Sequence, residues 1–242
     1  FRAGQWSLAC YSHANSLQTV DASLHGLDGL RGMHWQGRAE PYWSIPLDAQ
    51  QYGRLLSGFL LGVVAIALGA TERAVQRASD YALLRIQGGR AIIQHDAVAL
   101  LMAEQHAALQ AVSARLASLS AGSSAITLAA ALDCKRSALD ALTRAANAAM
   151  QVHGGSGYMR DTGVEDVVRD LNCLRVLAGS PDELALMQIA SATPGAAQLE
   201  SSSRGKNLRG FVAADHVLSP QKAFARVPLL RVLARYEPAS AW

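Results

Sequence analysis

Apolar positions along the chain fall into two regimes that meet near residue 48. Before that point short alternating stretches, Ser7-Leu8-Ala9-Cys10-Tyr11 and Tyr42-Trp43-Ser44-Ile45, sit among Gly, Trp and His and close at Pro46, which are signals of strand and turn. From Asp48 onward Ala, Leu, Val, Gln and Arg take over, Pro is scarce until Pro181, and the apolar residues recur at helical spacing. The pattern predicts a first helix over about 48–85, capped by Asp48 and stopped by Gly88-Gly89, and a second over about 92–120. On the second, Val98, Leu101, Met102, Leu109, Val112, Leu116 and Leu119 form one stripe. A third helix over about 125–153 follows a loop at 120–124, carries Leu139, Leu142, Ala146 and Ala149 on one face, and ends at Gly154-Gly155. Shorter helices are predicted over 164–177 and 181–191, with Pro181 in a first helical position. The fold class is therefore mainly α: an up-and-down helical bundle over 48–193, preceded by a short β-rich remnant over 1–47 and followed by a tail over 194–242 with no confident structure.

Composition narrows the function classes. Half of the 242 residues are apolar and 17% are charged, below the usual share, so part of the surface is expected to be hidden in an assembly. The longest apolar run, Leu55 to Ala70, is interrupted by Ser57, Gly58, Gly62 and Gly69 and is short for a spanning helix, so it reads as a buried core helix rather than a membrane span. No signal peptide is visible, and the opening on Phe1 reads as a cut start. A net charge of +3 without a long basic run argues against a nucleic-acid partner and only weakly for anionic ligands. Cys10, Cys134 and Cys173 stand far apart and form no Cys/His cluster, which favours a reducing, cytoplasmic compartment and disfavours a metal site.

Two glycine-rich breaks between long helices carry the candidate chemistry: Arg85-Ile86-Gln87-Gly88-Gly89-Arg90 and Gln151-Val152-His153-Gly154-Gly155-Ser156-Gly157-Tyr158. Glycine lets a ligand approach main-chain N–H groups, arginine presents a planar fork to a pyrophosphate, and a glutamine amide both donates and accepts at a purine or ribose edge. The competing reading of each break taken alone is a plain helix stop. The expectation is that the two breaks, brought together from adjacent copies of the chain, cradle a dinucleotide. His153 is expected to cap its helix or shape a ligand. His95 and His106, eleven residues apart on one helix, roughly share a face and, without a third metal ligand, read as a ligand-adjacent or packed pair, with His95 a cofactor-binding candidate.

The run from Gln151 through Ser180 resembles the flavin-binding signature of the acyl-CoA dehydrogenase family, in Gln151, Gly154, Gly155, Gly157, Tyr158, Glu165, Arg169 and Asp170. Upstream, the segment from Tyr81 to Val98 resembles the family's Arg-x-x-Phe-Gly-x-x-Ile stretch, with Gly88 in place of the phenylalanine. The resemblance implies a C-terminal helical bundle preceded by the end of a β-domain, a homo-oligomer (dimer or tetramer), FAD as cofactor and an acyl-CoA or related small molecule as substrate. It implies that Arg85 and Gln87 contact the pyrophosphate and ribose of a neighbouring subunit's FAD, that Gln151, Gly154 and Gly155 hold the adenosine end, and that Ser180 lies near the flavin. The family removes an α-proton with a glutamate while hydride passes to the flavin. Here that glutamate's position is Ala178, and its alternative on the first helix falls at Phe59 or Leu60. Asp182 and Glu183 remain as catalytic candidates, either as a stand-in base or as macrodipole partners of the last helix. The rival expectations are a flavin-dependent monooxygenase of the same fold and a non-catalytic helical subunit of a larger assembly.

Overall fold

A computed structural model of the protein describes residues 6–10, 17–20, 25–28, 32–35, 41–121 and 126–192. The tail predicted over 194–242 and most of the loop at 120–124 lie outside the described residues. Strand β1 (Trp6–Cys10) pairs antiparallel with β4 (Trp43–Leu47), and β2 (Leu17–Val20) pairs with β3 (Gly32–Trp35). The alternating stretches on either side of residue 10 and residue 45 thus find each other, Leu8 opposite Ile45.

Helix α1 (Ala49–Leu84) is capped as its sequence predicts. The Asp48 carboxylate accepts from the Gln51 backbone N–H at 2.7 Å, and the Gln51 side chain accepts from the Asp48 N–H at 2.9 Å, a reciprocal capping box. The helix has 36 residues, about 54 Å at 1.5 Å each, and long enough and apolar enough to cross a membrane; half of its most apolar window is nevertheless buried inside the fold. Leu56, Leu60, Val64, Ala67, Thr71, Ala74, Ala78 and Ala82 repeat every three or four residues and are all buried against the rest of the bundle.

The first glycine pair does not stop α1. The helix ends at Leu84, and Gly88-Gly89 turn a small hairpin, β5 (Ile86–Gln87) against β6 (Arg90–Ala91). Both glycines have positive φ, +62° and +80°, which a two-residue turn of type I′ requires and residues with a Cβ resist. A 3₁₀ turn (Ile92–Gln94) then leads into α2 (Asp96–Ala121), which starts later than the periodicity suggests.

Helix α3 (Leu128–His153), capped by Thr127, is the hub of the bundle and packs against α1, α2, α4 (Val164–Val176) and α5 (Pro181–Ala192). Ala131, Ala138, Ala145, Ala146 and Ala149 bring neighbouring backbones close to it, and Leu132, Leu139 and Leu142 fill the space between. Of the stripe predicted on α2, Met102 and Val112 are buried; Val98, Leu101, Leu109, Leu116 and Leu119 are half-buried at the margin of the core. The β-rich segment is clasped to the bundle by the Arg-Asp pair of the signature. Arg169 donates to the His25 carbonyl at 3.0 Å and pairs with Asp28 at 3.3 Å, and the Leu27 N–H donates to the Asp170 carboxylate.

Candidate functional site

The ends of α1 and α3 meet. Between them opens a cleft of about 840 Å³, lined from the first break by Tyr81, Arg85, Gln87, Gly88 and His95 and from the second by Gln151, His153, Gly154, Gly155 and Ser156. One copy of the chain is enough to bring the two breaks together, so the expectation that adjacent copies are needed for this is corrected. The reason is packing: the Ala-rich faces of α1 and α3 run side by side along much of their length, which delivers the C-terminal end of each to one corner.

Arg85 is the C-cap of α1, in extended conformation, and its guanidinium is exposed with no partner among the described residues. The side-chain amides of Gln87 and Gln151 are likewise exposed and unpaired there. A Cβ added at Gly89, Gly154 or Gly155 would meet nothing, so the backbone along these turns faces open space. Gly157 is different: a Cβ there would sit 2.4 Å from the Met150 carbonyl, so only glycine lets the 3₁₀ turn (Gly154–Tyr158) lie this close on α3. The result is a concave surface with a free cation, two free amides and accessible main chain, of a size ordinary for small-molecule sites.

His95 reaches the same cleft with both ring nitrogens engaged. Nε2 lies 3.1 Å from the Gln87 carbonyl, which can only accept, so Nε2 carries the proton and Nδ1 accepts from Arg90 at 3.2 Å. His95 therefore pins the hairpin that presents Gln87 instead of offering a free nitrogen to a ligand. His106 turns to its own helix and bonds the Met102 carbonyl at 2.8 Å. His153 is buried, stacks on Tyr81 with ring centroids 4.6 Å apart, and bonds the Ala149 carbonyl at 2.9 Å through Nδ1.

Ser180, Asp182 and Glu183 are not part of the cleft. The Ser180 N–H donates to Glu183 at 2.8 Å and the Glu183 N–H donates to the Ser180 hydroxyl at 3.3 Å, a second capping box that starts α5. Asp182 is exposed in the same first turn. Glu183 thus has a structural task that accounts for it, as the macrodipole reading of these carboxylates anticipates. Ahead of them the loop carries Ala178 at φ +63°, a left-handed conformation unusual for a residue with a Cβ.

Beneath this loop lies a residue that the sequence reading missed. Lys135 on α3 is fully buried, and its ammonium donates to the carbonyls of Gly179 at 2.9 Å and Arg175 at 3.2 Å. Burial pushes its pKa down to about 8, with the nearby Glu183 charge opposing that shift. The missed signal was periodicity: Lys135 falls between Leu132 and Leu139 on the apolar face of α3, where a charge needs a partner.

The chain matches the family model described as acyl-CoA dehydrogenase, C-terminal domain, over residues 56–193. It belongs to the acyl-CoA dehydrogenase family. It is 32% identical over 128 residues to an acyl-CoA dehydrogenase of Bacillus subtilis strain 168, covering 50% of this chain and 32% of that protein. It is also 32% identical over 138 residues to a 3-sulfinopropanoyl-CoA desulfinase of Paraburkholderia xenovorans strain LB400, covering 56% of this chain and 35% of that one. Among solved structures, glutaryl-CoA dehydrogenase from Mycobacterium smegmatis shares the fold with a TM-score of 0.65 at 18% identity, over 80% of this chain and 49% of that one. The chain therefore spans about a third of the length of these curated relatives. Neither the monooxygenase nor the scaffold expectation gains support from them, and the mainly α bundle matches the family's C-terminal helical fold.

Proposed function

We propose that this chain is the cofactor-gripping helical part of an FAD-dependent oxidoreductase that acts on the CH–CH bond of an acyl-CoA thioester or a close relative of one. The observation that carries this reading is the cleft: six of the seven residues that the sequence offers as cofactor-binding candidates, Arg85, Gln87, His95, Gln151, Gly154 and Gly155, line it together. The donor set fits the nucleotide half of FAD. The unpaired Arg85 fork would pair with the pyrophosphate oxygens, the Gln87 and Gln151 amides would take ribose and purine edges, and the open backbone at Gly154-Gly155 leaves room for close approach. When bound, FAD would supply a two-electron acceptor for the oxidation.

The proton side of such a reaction needs a base within hydrogen-bond reach of the substrate. In this chain the family's two positions for it hold Ala178 and Phe59 or Leu60, none of which takes a proton. Glu183 is held by the Ser180 N–H in its cap. Dehydrogenation by this chain's own residues is therefore expected to be slow, and one relative is named for desulfinase rather than dehydrogenase chemistry. Oligomerisation fits the low charged fraction and the exposed Leu55, Ile66, Leu84, Leu186 and Ile189, and a reducing compartment such as the cytoplasm fits the free Cys10, Cys134 and Cys173.

Two measurements test the reading. FAD added to the purified chain is expected to show a perturbed flavin absorption band and quenched fluorescence, both weakened in Arg85→Ala; an unperturbed spectrum at saturating chain concentration contradicts it. Ala178→Glu, in a flavin-loaded preparation, is expected to raise the rate of flavin bleaching by an acyl-CoA, and no change in that rate opposes Ala178 as the base position.

A further inference from the structure

His153 is the one histidine on the cleft whose second nitrogen has no partner among the described residues, and its tautomer is fixed by the fold. The Ala149 carbonyl 2.9 Å from Nδ1 can only accept, so in the neutral ring Nδ1 carries the proton and Nε2 presents a lone pair. The ring cannot swing to present another face. It is 6% exposed, held on one side by the Tyr81 ring at 4.6 Å and an interplanar angle of 22°, and on the other by its place in the last turn of α3. The cleft's glutamine amides behave differently, because each can turn to present oxygen or nitrogen to whatever arrives.

We infer that His153 is a specificity-determining residue for the base of the bound nucleotide, its fixed Nε2 acceptor selecting a purine with an amino group at position 6 over one with an oxygen there. Adenine offers a donor at position 6 beside an acceptor at N1, whereas hypoxanthine and guanine carry an acceptor oxygen at position 6 beside an N1–H donor, so an acceptor held against position 6 meets repulsion with either of them. The inference rests on the reading of the cleft as a nucleotide site. It adds the direction of base discrimination, which Arg85, contacting phosphate, cannot supply.

The test uses the whole 242-residue chain and two nucleotides that differ only along the N1 and C6 edge of the base, ADP and IDP, each titrated calorimetrically. ADP is expected to bind roughly five- to tenfold more tightly than IDP, about what one hydrogen bond gained against one mismatched contact gives. In His153→Phe, which keeps an aromatic ring on Tyr81 but has no acceptor, the two nucleotides are expected to bind within about twofold of each other. Equal binding to the unaltered chain, or a preference that survives in His153→Phe, overturns the inference and leaves the nucleotide reading intact. Failure of both nucleotides to bind at millimolar concentration overturns the inference and the nucleotide reading together. A second measurement is independent of whether His153→Phe folds: in the ¹⁵N-histidine-labelled unaltered chain, the His153 Nε2 resonance is expected to shift with ADP and to shift less with IDP, and identical shifts overturn the assignment.

Discussion

Two places at helix ends in this molecule, the cleft and the 177–180 turn, are singled out by the same family resemblance, and their polar groups are used in opposite ways. At the cleft, Arg85, Gln87 and Gln151 are exposed and without partners among the described residues, and the glycine backbone around them faces open space. At the Leu177–Ser180 turn the polar groups are matched from within: Lys135 caps the carbonyls of Arg175 and Gly179, and Ser180 and Glu183 cap each other. Glycine and serine near a helix end do not by themselves distinguish a binding site from a well-made joint. Whether the donors around them are already used does so, because a donor bonded within the protein must give up that bond before it can serve a ligand.

The contrast is sharpened by variants whose effects fall on stability at one turn and on binding at the other. The largest expected effect is on Lys135→Ala, which leaves a cavity and two unpaired carbonyls; it is expected to lower unfolding stability by about 3 kcal/mol in urea melts while sparing nucleotide affinity of the folded fraction. Next is Arg85→Ala, expected to weaken ADP binding roughly tenfold or more, since hydrogen bonds to charged groups contribute about 1.5–3 kcal/mol, and to leave the urea midpoint essentially unchanged. A loss of stability in Arg85→Ala comparable to that in Lys135→Ala would erase the distinction.

A pH titration makes a smaller test of the closed turn. Lys135 holds its proton less tightly in the folded protein, at about 8, than at the ordinary value of 10.5, so between those values the unfolded chain binds more protons and stability rises with pH. Tyr52 works in the other direction above pH 10, because burial raises its pKa to about 12 and the folded protein then keeps a proton that the unfolded chain has lost. Urea stability is therefore expected to increase from pH 8 toward 10 in the unaltered chain, and this rise to vanish in Lys135→Ala. The smallest expected effect is that of Ala178→Gly. It relieves the left-handed φ of +63° but loosens the unfolded chain, for a net gain of about 0.5 kcal/mol or less in the same melts.

The bundle was largely legible because its signals are local. Asp48 and Pro181 mark helix starts, and the apolar spacing of α1 and α3 is the spacing of their buried faces. The Gly88-Gly89 pair reads as a helix stop in the sequence because glycine serves both a C-cap and a type I′ hairpin, and only pairing of Ile86 with Ala91 decides between them. The cleft residues were found through their motif, yet that a single copy suffices to join them depends on how α1 and α3 pack, which no local pattern states. His95 illustrates the same limit: its position on the cleft was expected, while its two bonds to the hairpin follow from a turn that was not. Lys135 escaped because its partners are main-chain carbonyls 40 and 44 residues away, and a carbonyl leaves no mark in a sequence.

The most direct test of the account is hydrogen exchange of the full chain with and without ADP. Protection is expected over 85–95 and 151–157, the two halves of the cleft, with the 177–184 turn unchanged. Protection confined to 177–184, or to neither segment, would contradict the assignment of the cleft as the nucleotide site.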